Sequence, residues 1–233
     1  DAFWPGPFTM VLPLKKNSGI SKLITAGLET VAIRIPKHPV AQEILLEFSG
    51  PIAAPSANKS GHISPTCAQH VNEEFGNEIG MIIDGGPCDN GIESTIVKVN
   101  DDHLLLLRPG NITKETIERT LSIKVKIEDK PTDNPIAPGQ LKSHYAPNAK
   151  MRLNVTHPNN DEAYLAFGDT QWTQNMLNLS QTRNLEEAAA NLFSMMRALD
   201  QLNIKTIAVA PIPKNGLGYA INDRLERAAA PKD

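Results

Sequence analysis

A chain of 233 residues, 40% hydrophobic and 21% charged with a net charge of −3, has room for about one to two domains and enough apolar mass for packed cores, which excludes wholesale disorder. The mild acidity argues against a polyanion binder that works through its whole surface, although a local basic groove is compatible with it. Cys67 and Cys88 without a Cys-x-x-Cys pair argue against a zinc site or a disulfide framework and fit a reducing cytoplasm, and no apolar run approaches the roughly 20 residues that span a bilayer.

Trp4-Pro5-Gly6-Pro7 reads as a turn before a strand over Phe8–Leu12. Ile20–Ala26 reads as a short helix stopped by Gly27. Thr30–Ile35 is β-branched and nearly all apolar, the pattern of a buried strand, interrupted by Arg34 just before Pro36. Pro39–Phe48 reads as a helix with proline in its first turn. The apolar triplet Ile52-Ala53-Ala54 predicts a short strand, and Thr66 with Gln69 predicts a capping-box start for a helix over Cys67–Phe75. Met81–Ile83 predicts a strand running into the Asp84-Gly85-Gly86-Pro87 turn. Ser94–Val99 and His103–Leu107 predict a hairpin across Asn100-Asp101-Asp102. Thr113 caps a helix to Leu121, and Lys124–Ile127 closes the first unit.

Composition then shifts. Residues 128–150 hold four prolines and no usable periodicity, and read as a linker. Beyond it, strands are expected at Met151–Val155, Ala163–Phe167, Met176–Leu179 and Lys205–Ala210. Leu185, Ala189, Leu192, Met196 and Leu199 recur at three and four and predict a long amphipathic helix; Ile221–Ala230 predicts a last one. The expected fold class is α/β: a first domain over 1–127, a linker over 128–150 and a small open α/β domain over 151–233.

The chemistry concentrates in Ala54–Thr66, where serines, a threonine, Asn58, Lys59 and His62 lie between Pro55 and Pro65, with Gly61 permitting a turn. A rigid hydroxyl-rich loop can donate hydrogen bonds to phosphate or carboxylate oxygens; a plain surface loop is the alternative. Arg34 and Arg108 stand at strand ends, where a guanidinium either pairs internally or grips a carboxylate or phosphate. Gly91-Ile92-Glu93-Ser94-Thr95 gathers an acid and two hydroxyls at the mouth of a strand, or is only a capped turn. Asp84-Gly85-Gly86 either turns backbone amides toward an anion or simply turns the chain. His144-Tyr145 is unusual for a linker: it either closes over a site as a lid or anchors the linker to a domain. No phosphate-binding Gly-x-x-x-x-Gly-Lys-Ser/Thr, dinucleotide Gly-x-Gly-x-x-Gly or nucleophile-elbow motif is present, and the six histidines show no metal-ligand spacing.

In order, Pro5-Gly6-Pro7-Phe8-Thr9, Val31–Pro36, Ala54-Pro55-Ser56-Ala57-Asn58 with Gly61 and Ser64-Pro65-Thr66, Asp84-Gly85-Gly86, Gly91–Val97 and Arg108-Pro109-Gly110 form a series. This series resembles the YrdC-like domain of the L-threonylcarbamoyladenylate synthases. Pro138-Gly139 with His144–Pro147 resembles the linker of the two-domain members, and Gly216–Leu225 resembles the signature of their C-terminal domain. The resemblance covers nearly the whole chain. It implies a YrdC-like twisted-sheet domain followed by a small Rossmann-like domain.

The implied activity is that of a nucleotidyltransferase. ATP, L-threonine and bicarbonate give threonylcarbamoyl-adenylate and pyrophosphate, and the product passes to a tRNA threonylcarbamoyl transferase complex. By resemblance, Arg34, Ala54 and Ser94 hold L-threonine. Thr30, Ser56, Asn58, Ser64, Arg108 and Pro138 hold ATP, Mg²⁺ rides on the triphosphate, and His144 and Tyr145 belong to a lid. No residue is assigned as general base and no protein metal site is expected. The family's Lys-x-Arg segment does not precede Asp1, so the chain is expected to lack the N-terminal part of its catalytic domain. A double-stranded RNA-binding module without synthesis is the competing class, and a carbamoyl-adenylate enzyme of hydrogenase maturation is a third. A cytoplasmic location and no membrane association are expected.

Overall fold

The computed structural model describes residues 1–127, 137, 139, 143–172 and 174–231. Two compact units emerge, and each is discontinuous in sequence. One comprises Asp1–Pro55 with Glu93–Leu141, the other Ser56–Ile92 with Lys142–Asp233. In sequence order the same chain divides at 127 and 150 by composition. The hydroxyl-rich loop and the helix after it therefore group with the C-terminal residues, because they pack against them.

The first unit is a five-stranded mixed sheet. Its strands are β1 (Phe8–Pro13), β2 (Thr30–Ile33), β3 (Thr95–Val99), β4 (Leu104–Arg108) and β5 (Val125–Ile127), in the order β2-β1-β3-β4-β5. The β1–β3 and β4–β5 pairs are parallel, while β1–β2 and β3–β4 are antiparallel. The apolar alternation that marks these strands builds a core of Phe8, Val97, Leu104, Leu106, Ile117 and Val125 on one face, and Val11, Ile96 and Leu107 form a second cluster. Helices α1 (Pro39–Phe48) and α3 (Lys114–Leu121) belong to this unit. Thr113 caps α3 as expected, its hydroxyl accepting the Thr116 N–H at 3.2 Å.

In the second unit, α2 (Ala68–Phe75) precedes a four-stranded parallel sheet. Its strands are β6 (Lys150–Arg152), β7 (Ala163–Ala166), β8 (Met176–Asn178) and β9 (Thr206–Val209), in the order β6-β9-β7-β8. All four residues of β7 are buried, as a parallel strand covered on both faces requires. Helix α4 (Leu185–Asp200) buries Ala188, Ala189, Leu192, Phe193, Met196 and Leu199 along one stripe. Asn184 caps it, accepting the Glu186 and Glu187 N–H groups. Helix α5 (Leu217–Ala229) completes the unit.

Several local expectations are corrected. Ile20–Ala26 forms successive hydrogen-bonded turns, not a helix; Gly27 N–H closes onto the Lys22 carbonyl at 2.9 Å. The strand at Thr30 is an edge strand, half-exposed rather than buried, since β1 is its only neighbour among the described residues. Ile52–Ala54 and Met81–Ile83 form no strand and pair with none of the described residues' strands. Thr66 does not cap α2. The helix starts after Cys67, which moves Gln69 off the third position that a capping box needs; the Thr66 N–H instead meets His70 Nδ1 at 3.2 Å.

Candidate functional site

In the first unit, chemistry gathers at one end of the sheet. The parallel β1–β3 pair begins there, and the antiparallel partners β2 and β4 end there. Arg108 is the last residue of β4 and is only 8% exposed. Its Nε and Nη2 donate to the Ser94 carbonyl at 3.2 and 2.9 Å, and Nη2 also reaches the Ser94 hydroxyl at 3.2 Å. The Ser94 hydroxyl in turn lies 2.8 Å from that of Thr9 on β1. Gly110 lets the chain pass close behind: a Cβ there would lie 2.5 Å from the Glu93 carbonyl oxygen and the Thr95 nitrogen.

Arg34 is exposed and lies just past the end of β2. The ladder pairs Met10 with Ile33, and one step further the same register sets Arg34 beside Thr9. Thr30 sits at the opposite end of that strand, paired with Pro13. Four strand residues span about 13 Å, so β2 separates Thr30 from Arg34. Ala54 is exposed in the extended segment after α1. Thr9 is not among the residues expected at a site from sequence; its signals are its place at the end of the Pro5–Thr9 motif and one hydroxyl in an otherwise apolar strand.

In the second unit, residues 56–66 form an irregular loop turned at Gly61, whose φ is +84°. Asn58 and Ser64 are buried within it and Ser56 is exposed. The Asn58 amide donates to the Lys59 carbonyl at 2.8 Å and the His62 carbonyl at 3.2 Å. Its Oδ1 is buried with no partner among the described residues. The loop is tied to α2 through Glu74, which accepts the Lys59 N–H at 2.9 Å and contacts His62 Nδ1 at 2.7 Å. Burial alone would push the Glu74 carboxyl up. The Lys59 N–H, His62 and Arg197 outweigh it and hold the carboxyl below the usual range. Asp84 accepts the Gly86 N–H at 2.8 Å, which makes Asp84-Gly85-Gly86 an Asx-type turn.

His144 and Tyr145 lie in the second unit. Tyr145 is 1% exposed, stacks on Phe193 with ring centroids 5.3 Å apart, and has the Arg224 guanidinium over its ring at 5.4 Å. The His144 ring packs edge-on at 4.1 Å, and the Ala146 N–H donates to the Gly61 carbonyl at 2.8 Å. The Gly216–Leu225 stretch explains itself here. Gly218 has no room for a side chain beside the Pro213 carbonyl, Asn222 satisfies the Ile212 and Gly218 carbonyls, and Arg224 carries Tyr145. Pro138 lies outside the described residues. Among those residues no group of three or more His, Cys, Asp or Glu side chains gathers as a metal site would require.

Comparison with known proteins gives a consistent set of relatives. Residues 1–110 match the family model described as Telomere recombination, and residues 112–230 match Threonylcarbamoyl-AMP synthase, C-terminal domain. The threonylcarbamoyl-AMP synthase of Bacillus subtilis is 38% identical over 97% of this chain and 70% of its own length. That of Pyrococcus abyssi is 36% identical over 97% and 71%. The crystal structure of P. abyssi Sua5 complexed with L-threonine superposes with a TM-score of 0.87 at 35% identity, over 98% of this chain and 72% of that one. A variant of the same protein with an adjacent histidine and tyrosine changed to alanine gives 0.85 at 32% identity, covering 98% and 70%.

Proposed function

This chain belongs to the two-domain threonylcarbamoyl-AMP synthase family, and from that membership we propose the reaction it serves. It is a synthase of L-threonylcarbamoyl-adenylate. The threonine amine adds to bicarbonate-derived CO₂ and loses a proton to give a carbamate. A carbamate oxygen attacks the α-phosphorus of MgATP, and the bond to the β-phosphate breaks to release pyrophosphate. Such a displacement asks the protein for position and positive charge more than for covalent chemistry. The product serves tRNA threonylcarbamoyladenosine synthesis through a transferase complex, which places the work in the cytoplasm with ATP and tRNA. No helix among the described residues is long and apolar enough to cross a membrane.

The observation that carries this reading is the bond from Arg108 to Ser94. Ser94 is assigned to threonine and Arg108 to ATP, and their direct contact supports this, since a reaction between the two substrates demands neighbouring sites. Arg34, beside Thr9 at the same sheet end, is assigned to the threonine carboxylate, with the Ala54 backbone as a further contact. Thr30, Ser56, Asn58, Ser64 and Pro138 are assigned to ATP. The buried Oδ1 of Asn58, without a partner among the described residues, suits an adenosine or ribose donor. His144 and Tyr145 are assigned to a lid whose purpose is to keep water from a hydrolysable product; the histidine-tyrosine variant of the P. abyssi relative directs attention to the His-Tyr pair of this sequence.

Mass-spectrometric detection of threonylcarbamoyl-adenylate after incubation of the full-length protein with ATP, Mg²⁺, L-threonine and bicarbonate tests the reading. Product that disappears when threonine or bicarbonate is omitted is expected. No product from folded protein would overturn it.

A further inference from the structure

The 56–66 loop has no helix or strand of its own, so something outside it must hold its shape. Besides the burial of Ile63 and the Ala146 bond to Gly61, one carboxylate with its arginine partner ties three of the loop's positions. Glu74, on α2, has a side chain only 7% exposed. Its Oε1 takes the Lys59 N–H at 2.9 Å and His62 Nδ1 at 2.7 Å. Its Oε2 faces both terminal nitrogens of Arg197, each at 3.3 Å. Arg197, in the last turn of α4, also donates to the Ile63 carbonyl. Loop positions 59, 62 and 63 are therefore gripped by one ion pair. Asn58 reads the same turn, since its amide bonds the carbonyls of 59 and 62. A cavity of about 210 Å³ lined by His62, Ile63, Glu74, Ala146, Arg197 and Asp200 lies against the pair. Ile63 anchors the loop in the core and the Ala146 N–H bonds the Gly61 carbonyl, while on the cavity side the charges hold it.

We propose that Glu74 and Arg197 are positioning residues for the nucleotide: this pair sets the conformation of the 58–64 loop, and with it the affinity for ATP, from the C-terminal helix α4. The proposal rests on the reading of this loop as an ATP contact.

Arg197→Met and Arg197→Lys in the full-length protein test it, with two readouts. Amide hydrogen exchange over 58–66 reports the loop itself. KM for ATP, KM for threonine and kcat report its use. In Arg197→Met, exchange and the KM for ATP should each rise about tenfold, as expected for losing charge-assisted hydrogen bonds, while the KM for threonine and kcat hold. Arg197→Lys, which keeps the charge, should recover part of both. If Arg197→Met does not fold, Glu74→Gln, which keeps an acceptor for the Lys59 N–H, is read in its place. Unchanged loop exchange overturns the clamp whatever the loop binds. Faster exchange with an unmoved KM for ATP overturns the nucleotide role and leaves only a structural pair.

Discussion

Arg108 donates to Ser94 from a position that is more than nine-tenths buried, and at such a position geometry matters as much as charge. Arg108→Lys keeps the charge but loses the planar fork. The KM for ATP should rise about tenfold or more, in line with charged hydrogen bonds, with a smaller effect on threonine because the Ser94–Thr9 contact survives; steady-state kinetics with each substrate varied checks this. Arg34→Ala should do the reverse, raising the KM for threonine by about tenfold or more through the lost carboxylate partner, and equal damage to both substrates would refute that assignment. Gly91 has a φ of +66° and faces the backbone of α4, where an added Cβ would collide with the Ala189 and Ala190 carbonyl oxygens. Gly91→Ala should cost about 2–4 kcal/mol from strain and overpacking, read as a lower urea midpoint. The mutual contact of Ser94 and Arg108 was legible in part, because a charge or hydroxyl breaking an apolar run asks for a partner. Glu74 was not, since an acidic residue on a helix usually faces water and its partner Arg197 lies 123 positions away.

At the level of elements, periodicity did well where a whole face is buried. The α4 stripe follows from its three-and-four spacing and the buried strands β7 and β9 from continuous apolar runs, and the Thr113 cap from one hydroxyl before a helix. Thr113→Ala should lower stability by about 1 kcal/mol, seen as a shifted denaturant midpoint with an unchanged slope. The apolar triplets Ile52–Ala54 and Met81–Ile83 read as strands but have no strand partner among the described residues. A triplet carries too little pattern to show whether a neighbouring strand exists, and a ladder needs two partners. For the same reason β2 reads as buried although it stands at an edge: hydrophobicity does not report strand order.

For the molecule as a whole, acid sensitivity follows from two carboxylates. Bonding to Arg152 holds Glu162 below the usual range, against the opposing effect of burial and with help from the Asn159 N–H; Glu74 is held down as well. A carboxyl with a depressed folded pKa contributes stability that is present above its unfolded value, about pH 4, and is lost as pH falls through the folded value. The unfolding midpoint should therefore drop below about pH 5, and Glu162→Gln should be less stable at neutral pH yet flatter across that acid window, as a pH series of urea melts would record. The sequence by itself determined the α/β class and the family, because these rest on local spacing and on motifs in a fixed order. Only the tertiary structure decided that residues 56–92 group with the C-terminal unit, that Thr9 backs Ser94, that Arg224 carries Tyr145 and that Arg197 holds the loop through Glu74. Those pairings join residues far apart in the chain, and a partner chosen by packing and burial leaves no period or motif to read.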